Sequence, residues 1–180
     1  ISQFDQPIGV NGKLEITLED GTKKTIGIER LHLEEDAAKL LHSDNGTMVD
    51  YNRGGTPLME IVTKPDIRSA EEAKAYMQEL RAIARYMNVS DADMEKGQMR
   101  CDVNISLRPR LWEDTRFSPK TEIKNVNSFR SVERAIKYEI GRQTELWEEN
   151  NPPQITTTRG WNDTEQRTDE QRTKEGAADY

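Results

Sequence analysis

The sequence has one cysteine, Cys101, and two histidines, His32 and His42, among its 180 residues. One cysteine cannot close a disulfide within the chain, and a Cys/His zinc site usually takes four such ligands. No run of consecutive apolar residues is longer than three, as in Ala75-Tyr76-Met77, whereas a membrane-spanning helix needs about 20. We therefore expect no zinc site, no membrane partner and a reducing, cytoplasmic compartment.

Large apolar side chains are also scarce. Hydrophobic residues make up 33% of the sequence and charged residues another 33%, with a formal net charge of −7, whereas globular chains are typically about half apolar. The length predicts one domain. Because the chain starts at Ile1 without an initiator methionine or signal pattern and stops at Tyr180, we expect a single partial domain, residues 1–180, cut from a longer protein.

The first third of the chain alternates apolar and polar residues, as β-strands do. Residues 14–18 and 26–28 carry this alternation on either side of Asp20-Gly21, which is a strong hairpin signal. Two further short segments, 48–53 and 57–63, have strand-forming composition. This part of the chain is therefore predicted to be β-structure that opens with a hairpin.

The alternation of apolar and polar residues shifts by one position after the predicted hairpin. The apolar positions move to Leu31 and Leu33, which predicts a β-bulge near Glu29-Arg30. In this interpretation both leucines face the core, and His32 and Glu34 face away from them.

Two segments have the 3–4-residue apolar spacing of an amphipathic helix. The first covers 69–88 and begins with the capping-box pair Ser69 and Glu72. The second runs from Phe129 to Trp147, with Asn127 or Ser128 as its N-cap.

The clearest strand in the sequence is 98–108, with Met99, Cys101, Val103, Ile105 and Leu107 on one face. Cys101 is therefore expected to be buried and inert. Residues 120–124 alternate again, and 156–159 with 171–174 are candidates for a late hairpin. Strands outnumber helices and no repeating βαβα pattern is visible, so the predicted fold class is α+β, a mainly antiparallel sheet with helices on one face.

The common catalytic motifs are missing, including the glycine-rich dinucleotide and P-loop signatures, the nucleophile elbow and the zinc-protease helix. Any chemistry must then depend on carboxylates and basic groups. Three sites on predicted strands carry them.

The first site is the acidic run Glu34-Glu35-Asp36. Mg²⁺ favours oxygen ligands and takes one or two protein carboxylates together with substrate phosphate oxygens. A solvated strand end is the alternative, and the spacing alone favours it slightly, because runs of charge are usually solvated faces. The residues leave open whether His32 faces this pocket, while His42 is expected at the surface.

The second site is Glu60, a lone acid among strand-forming residues that shares a face with Leu58 and Val62. It lies either at a bulge or sheet edge, or in a partly buried place where it needs a cation or hydrogen-bond donor. Arg53, beside Gly54-Gly55, is placed to reach a phosphate.

The third site is the polar face of strand 98–108. Its hydrogen-bond donors and acceptors suit contacts with phosphate, metal and water. A sheet face that is simply exposed to solvent would have a similar composition. The residues of this face are Arg100, Asp102, Asn104, Ser106 and Arg108. Lys120, Glu122 and Lys124 form a second charged row. Together the three sites indicate a pocket of the phosphoryl-transfer type, in which Mg²⁺ and cations neutralise the transferring charge.

Particular strings of residues resemble successive blocks of one family, the B subunits of aspartyl/glutamyl-tRNA(Asn/Gln) amidotransferases. The blocks are Ile1-Ser-Gln-Phe-Asp-Gln-Pro-Ile, Arg30-Leu-His-Leu-Glu-Glu-Asp-Ala, Val49-Asp-Tyr-Asn-Arg-Gly-Gly-Thr-Pro-Leu-Met-Glu-Ile-Val, Met99-Arg-Cys-Asp-Val-Asn-Ile-Ser-Leu-Arg-Pro, Lys120-Thr-Glu-Ile-Lys-Asn-Val-Asn-Ser-Phe and Lys174-Glu-Gly-Ala-Ala-Asp-Tyr. The likeness extends over the whole chain, in the order of the family.

The resemblance implies a substrate and a reaction. B subunits bind misacylated Glu-tRNA(Gln) or Asp-tRNA(Asn), phosphorylate the side-chain carboxylate with ATP and Mg²⁺, and form the amide with ammonia. Their partners are the A subunits, which supply the ammonia by hydrolysing glutamine, and the small C subunits, which hold the other two together. The region resembles the middle of the family's cradle domain, whose fold is similar to that of glutamine synthetase, without its opening strands and its C-terminal helical and tail regions.

The resemblance also implies residue roles. The matching blocks offer Glu34, Glu35 and Glu60 as metal ligands, with Glu60 also counted as catalytic. Asp102 and Lys120 are the other implied catalytic residues, and Arg53, Asn104, Arg108 and Lys124 are implied to bind the nucleotide or phosphate. An alternative role for Glu122 and the two lysines of its row is to line the ammonia path.

Two other interpretations remain open. The archaeal E-type paralogue performs the same chemistry on Glu-tRNA(Gln). A non-catalytic RNA-binding or assembly module is the other alternative, although a net charge of −7 disfavours non-specific binding to phosphates.

Overall fold

The computed structural model describes residues 2–109 and 117–173. The chain groups into two compact units, Ile1–Ile67 and Arg68–Tyr180. The expectation of a single partial domain stays a prediction. No helix within the described ranges is long and apolar enough to cross a membrane.

The described part of the first unit contains five strands. These are β1 (Gly9–Thr17), β2 (Lys23–Glu35), β3 (Lys39–Ser43), β4 (Gly46–Asp50) and β5 (Pro57–Thr63). Strands β1, β2 and β5 form an antiparallel sheet in that order, and β3 and β4 form a separate hairpin. The predicted hairpin is confirmed, with Gly21 at φ +83° in its turn, a conformation that favours glycine.

The predicted bulge is also confirmed, because the register between β2 and β5 shifts between Ile28 and Arg30. The predicted direction of the leucines is wrong for Leu33, which is 43% exposed, whereas His32 is fully buried. The reason lies before β1: Phe4 packs against the His32 ring, so the histidine face of β2 is the covered one.

The second unit contains both predicted helices, α1 (Ala70–Tyr86) and α2 (Phe129–Glu148). Each begins where the sequence predicts, since Ser69 and Ser128 accept hydrogen bonds from backbone N–H groups of the first turn. Their apolar faces pack together, and an ion pair between Lys74 and Glu133 (2.9 Å) joins the helices.

The second unit also contains β6 (Val103–Ile105), β7 (Thr121–Lys124), β8 (Thr157–Asn162) and β9 (Arg167–Thr173), which form one sheet in that order. The predicted late hairpin is β8–β9, with wider bounds than predicted; Lys174 lies outside the described residues. The α+β class is confirmed. One local feature differs from the antiparallel expectation, because β7 and β8 are parallel and α2 is the crossover between them.

Strand 98–108 is much shorter than its alternation predicts. Val103 lies opposite Ile123 in β7, so Asp102 falls opposite Lys124, and any residue before Asp102 would need a partner beyond the end of β7. Asn125 adopts φ +63° and ends β7 there. The alternation itself is retained, with Asp102 and Asn104 exposed and Ile105 buried.

A buried carboxylate, which the sequence did not single out, joins α2 to the sheet. Glu139 is fully buried and pairs with Arg142, whose Nη2 lies 2.6 Å from Oε1. Gln143 donates to the same oxygen, and the Thr168 hydroxyl of β9 donates to the other. This network fixes α2 against β9.

Candidate metal and phosphate site

Three side chains of the first unit converge on one point. His32 Nε2 lies 2.9 Å from Glu60 Oε2 and 3.1 Å from Glu34 Oε1. The three potential ligand atoms all lie within 4.8 Å of one another. We call these three residues the cluster.

Strand geometry explains the convergence. His32 lies directly opposite Glu60 in the β2–β5 register, so the two side chains leave the sheet on the same side. Glu34 is two residues beyond His32 and shares its face. The histidine is fully buried, while the Glu34 and Glu60 side chains are 32% and 50% exposed, so the carboxylates form the open side of the cluster.

The donor set of the cluster fits a divalent cation. Two carboxylates provide the hard oxygen ligands that Mg²⁺ and Mn²⁺ prefer, and the imidazole nitrogen adds a ligand that transition metals such as Fe²⁺ accept. A Ser2 hydroxyl that donates to Glu34, together with the neighbouring His32, lowers the pKa of the Glu34 carboxyl. Glu34 is therefore ionised at neutral pH, as a metal ligand must be.

His32 is the member of the cluster that sequence reasoning did not assign. The signal was available in the spacing of His32 and Glu34, which puts both on one face of β2. The sequence does not show that β2 pairs with β5, and this pairing puts Glu60 opposite His32.

Glu35 lies elsewhere. Strand alternation puts it on the face opposite Glu34, where it is exposed and does not belong to the cluster. Its predicted role as a metal ligand stays a prediction.

Arg53 lies in the turn between β4 and β5. Its Nε is 2.8 Å from Asp36 Oδ2, and the Asp36 side chain is only 12% exposed. Gly55, at φ +78°, donates its N–H to the Asp36 carbonyl. The ion pair holds the guanidinium beside the turn and partly neutralises its charge.

The second unit brings together a charged row on its sheet. Lys124 Nζ lies 3.2 Å from Asp102 Oδ2 and 3.4 Å from Glu122 Oε1. The buried Thr158 hydroxyl donates to the other oxygen of Glu122. Burial acts to lower the pKa of Lys124, but Asp102 and Glu122 outweigh it and raise that pKa, so Lys124 is a cation at neutral pH.

The other predicted residues of this unit lie near the same strands. Asn104 is exposed and pairs with Glu122 across β6 and β7. Lys120 is exposed just before β7. The Arg108 guanidinium lies 4.6 Å from the ring centre of Phe117, a distance typical of cation–π contact.

The remaining expectations are met in part. His42 is exposed on β3, where its Nδ1 lies 2.9 Å from the Thr47 hydroxyl oxygen. Cys101 is partly buried, and burial followed by the nearby Asp102 raises the pKa of its thiol to about 12.

Comparison with known proteins identifies relatives along the whole chain. The family model described as the GatB/GatE catalytic domain matches residues 1–180. The chain is 51% identical over its full length to a protein of Clostridium kluyveri, 52% to one of Brevibacillus brevis and 53% to one of Persephonella marina. All three relatives are named as B subunits of aspartyl/glutamyl-tRNA(Asn/Gln) amidotransferase, and the chain spans 37% of the length of each.

Proposed function

This chain belongs to the GatB/GatE catalytic domain family, and on that premise we propose that it carries the ATP-dependent site of the B subunits of tRNA amidotransferases. The substrates are Glu-tRNA(Gln), Asp-tRNA(Asn) or both. The observation that supports this most is the convergence of His32, Glu34 and Glu60, because two carboxylates and an imidazole offer a ligand set for a divalent cation, which phosphoryl transfer uses.

The reaction has two steps. A side-chain carboxylate oxygen of the aminoacyl-tRNA attacks the γ-phosphorus of ATP, which forms an acyl phosphate and releases ADP. The nitrogen of ammonia then attacks the carbonyl carbon, the bond to phosphate breaks, and a proton is released as the amide forms. The first step is required because a carboxylate is a poor acyl donor until one oxygen leaves as phosphate.

The first unit holds the cation in this proposal. Glu34 and Glu60 present carboxylate oxygens on the open side, and His32 presents Nε2 from the buried side. When Mg²⁺ is bound, it neutralises charge on phosphoryl oxygens. Glu35 lies on the opposite face of β2 and is left out of this ligand set. We assign Arg53 a role in phosphate binding, limited by its ion pair with Asp36.

The second unit, taken by itself, carries cations and polar groups that suit phosphate. The raised pKa of Lys124 suits a group that contacts phosphate and does not suit a general base. Asp102, at 3.2 Å, orients that ammonium. We also assign contacts with phosphate or ammonia to Lys120, Asn104 and Arg108.

We further propose that the full protein works in the cytoplasm with the A and C subunits of the amidotransferase, of which the first produces ammonia and the second is a small linking protein. The family description covers both GatB and GatE. The names of relatives at 51–53% identity favour the B type over the archaeal E type.

Replacing Glu60 by glutamine in the full-length protein within its complex tests the proposal. ATP-dependent activation of the aminoacyl-tRNA should fall by at least about 100-fold, the scale on which loss of an electrostatic group acts, while glutaminase activity persists. The matched control is Glu15→Gln, an exposed carboxylate at the far end of the same sheet, which should leave activation unchanged. Full transamidation by Glu60→Gln would contradict the proposal and favour a non-catalytic RNA-binding module.

A further inference from the structure

Ser2, Gln3 and Phe4, which precede β1 by several residues, form a short arm along β2. Ser2 makes a β-bridge with Glu34. The Gln3 N–H donates to the Leu33 carbonyl (2.9 Å), and the Leu33 N–H donates to the Gln3 side chain (3.2 Å). These bonds fix the arm beside the strand that carries two members of the cluster.

Ser2 acts on one of those members directly. Its hydroxyl donates to Glu34 Oε1 at 2.7 Å, and this is the oxygen that lies 3.1 Å from His32 Nε2. A carboxylate oxygen held by a hydroxyl from one side and facing an imidazole nitrogen from the other cannot rotate freely. The second Glu34 oxygen is thereby given a fixed direction.

Phe4 acts on the other member. Its ring meets the His32 ring edge-on, with centroids 5.9 Å apart and an interplanar angle of 84°. The Arg30 guanidinium lies 4.2 Å from the Phe4 ring centre, which fixes the position of the ring. Although Phe4 is itself 46% exposed, His32 beneath it is fully buried.

We propose that Ser2 and Phe4 are positioning residues for the divalent-cation site: Ser2 orients the Glu34 carboxylate, and Phe4 orients the His32 imidazole and excludes water from it. This inference rests on the proposed function, since it assumes that the cluster holds Mg²⁺ or Mn²⁺. Outer partners of metal ligands typically change metal affinity by about 10–100-fold when they are removed. Neither residue is one of the three ligands of the cluster.

The test is a Mn²⁺ titration of the full-length protein in its complex, followed by electron paramagnetic resonance and carried out without ATP or tRNA. Ser2→Ala should weaken Mn²⁺ binding by about 10–100-fold, and Ser2→Thr, which keeps the hydroxyl, should restore it to within about threefold of wild type. Phe4→Leu should weaken binding by about tenfold, and Phe4→Tyr, which keeps the ring, should restore it. Thermal unfolding of each variant separates loss of the ion from loss of the fold.

The outcomes separate the two proposals. If the wild-type protein binds no Mn²⁺, or if Glu60→Gln binds it as well as wild type, the cluster is not a metal site and both proposals fail. If Glu60→Gln loses the ion while Ser2→Ala and Phe4→Leu keep it, only the positioning role is overturned. Equal losses in Ser2→Ala and Ser2→Thr would also overturn that role, because the hydroxyl would then not matter.

Discussion

His32 Nε2 lies 2.9 Å from Glu60 Oε2 across the β2–β5 pair, although His32 is fully buried and half of the Glu60 side chain is exposed. The buried nitrogen and the solvent-accessible carboxylates together form a candidate ligand set that is open to solvent on the carboxylate side. The structure therefore adds a histidine to the candidate site, for which the sequence assigned only the acids.

Replacing His32 by asparagine should weaken Mn²⁺ binding by more than about tenfold, because the loss of even an outer partner of a metal ligand has effects of this size. The measurement is the paramagnetic resonance titration of the full-length protein. His42→Asn is the matched control, since His42 is exposed on β3 and contacts Thr47. Equal affinities for the two variants would remove His32 from the ligand set.

Glu34 and Glu35 are neighbours on opposite faces of β2, and only Glu34 belongs to the cluster. Glu34→Gln should reduce Mn²⁺ affinity by at least about tenfold, and Glu35→Gln by less than about threefold, because a glutamine amide is a weaker ligand than a carboxylate only where it faces the ion. Isothermal titration with Mn²⁺ measures both. A larger effect at Glu35 would mean that the cation lies on the other face of the strand.

Glu133 of α2 is bonded by Lys137 and by Lys74 of α1, which lowers the pKa of its carboxyl from 4.5 to about 2. A folded-state pKa below the unfolded value gives stability that is fully present above about pH 4.5 and is lost as the pH falls towards 2. Glu133→Gln should therefore lower the free energy of unfolding at pH 7 by about 1 kcal/mol or less, since the ion pairs are partly exposed.

The difference between wild type and Glu133→Gln should shrink as the pH is lowered through this window. Urea unfolding monitored by circular dichroism at a series of pH values measures it. Glu79→Gln, at an exposed position of α1, is the control and should show no such trend. A difference that is constant down to pH 2 would contradict the assignment.

Glu139 is a fully buried carboxylate whose charge is balanced by Arg142. Glu139→Gln should lower the free energy of unfolding by about 3 kcal/mol, at the low end of the range for breaking a buried pair, because the Arg142 side chain is 23% exposed and keeps contact with water. Glu145→Gln, exposed on the same helix, should change it by less than about 0.5 kcal/mol. Urea denaturation distinguishes the two variants.

Cys101 should react slowly with iodoacetamide at pH 8. With its thiol pKa raised to about 12, the reactive thiolate fraction is about a thousandfold smaller than for an exposed thiol of pKa 8.5. Peptide mass spectrometry can follow modification of Cys101 in the folded and the guanidine-unfolded protein. Rapid labelling of the folded protein would contradict the raised pKa of the thiol.

Local signals in the sequence were sufficient for several elements. Ser69 and Ser128 supply the caps that start both helices, and Asp20-Gly21 supplies the turn of the first hairpin. These features depend on residues close in sequence, so their chemistry is visible without the fold. The length of strand 98–108 was overestimated, because alternation indicates which residues share a face and carries no information about how many of them pair with a neighbouring strand.

The sequence by itself determined the helix starts, the first hairpin, the bulge in β2 and the candidate acids, since each depends on local propensity or alternation. The tertiary structure decided which acids meet. Pairing of β2 with β5 puts Glu60 opposite His32 and leaves Glu35 on the other face, and Phe4 rather than Leu33 determines which face is covered. Register between strands and cover from a distant segment are relationships between residues far apart in the chain, and no local pattern contains them.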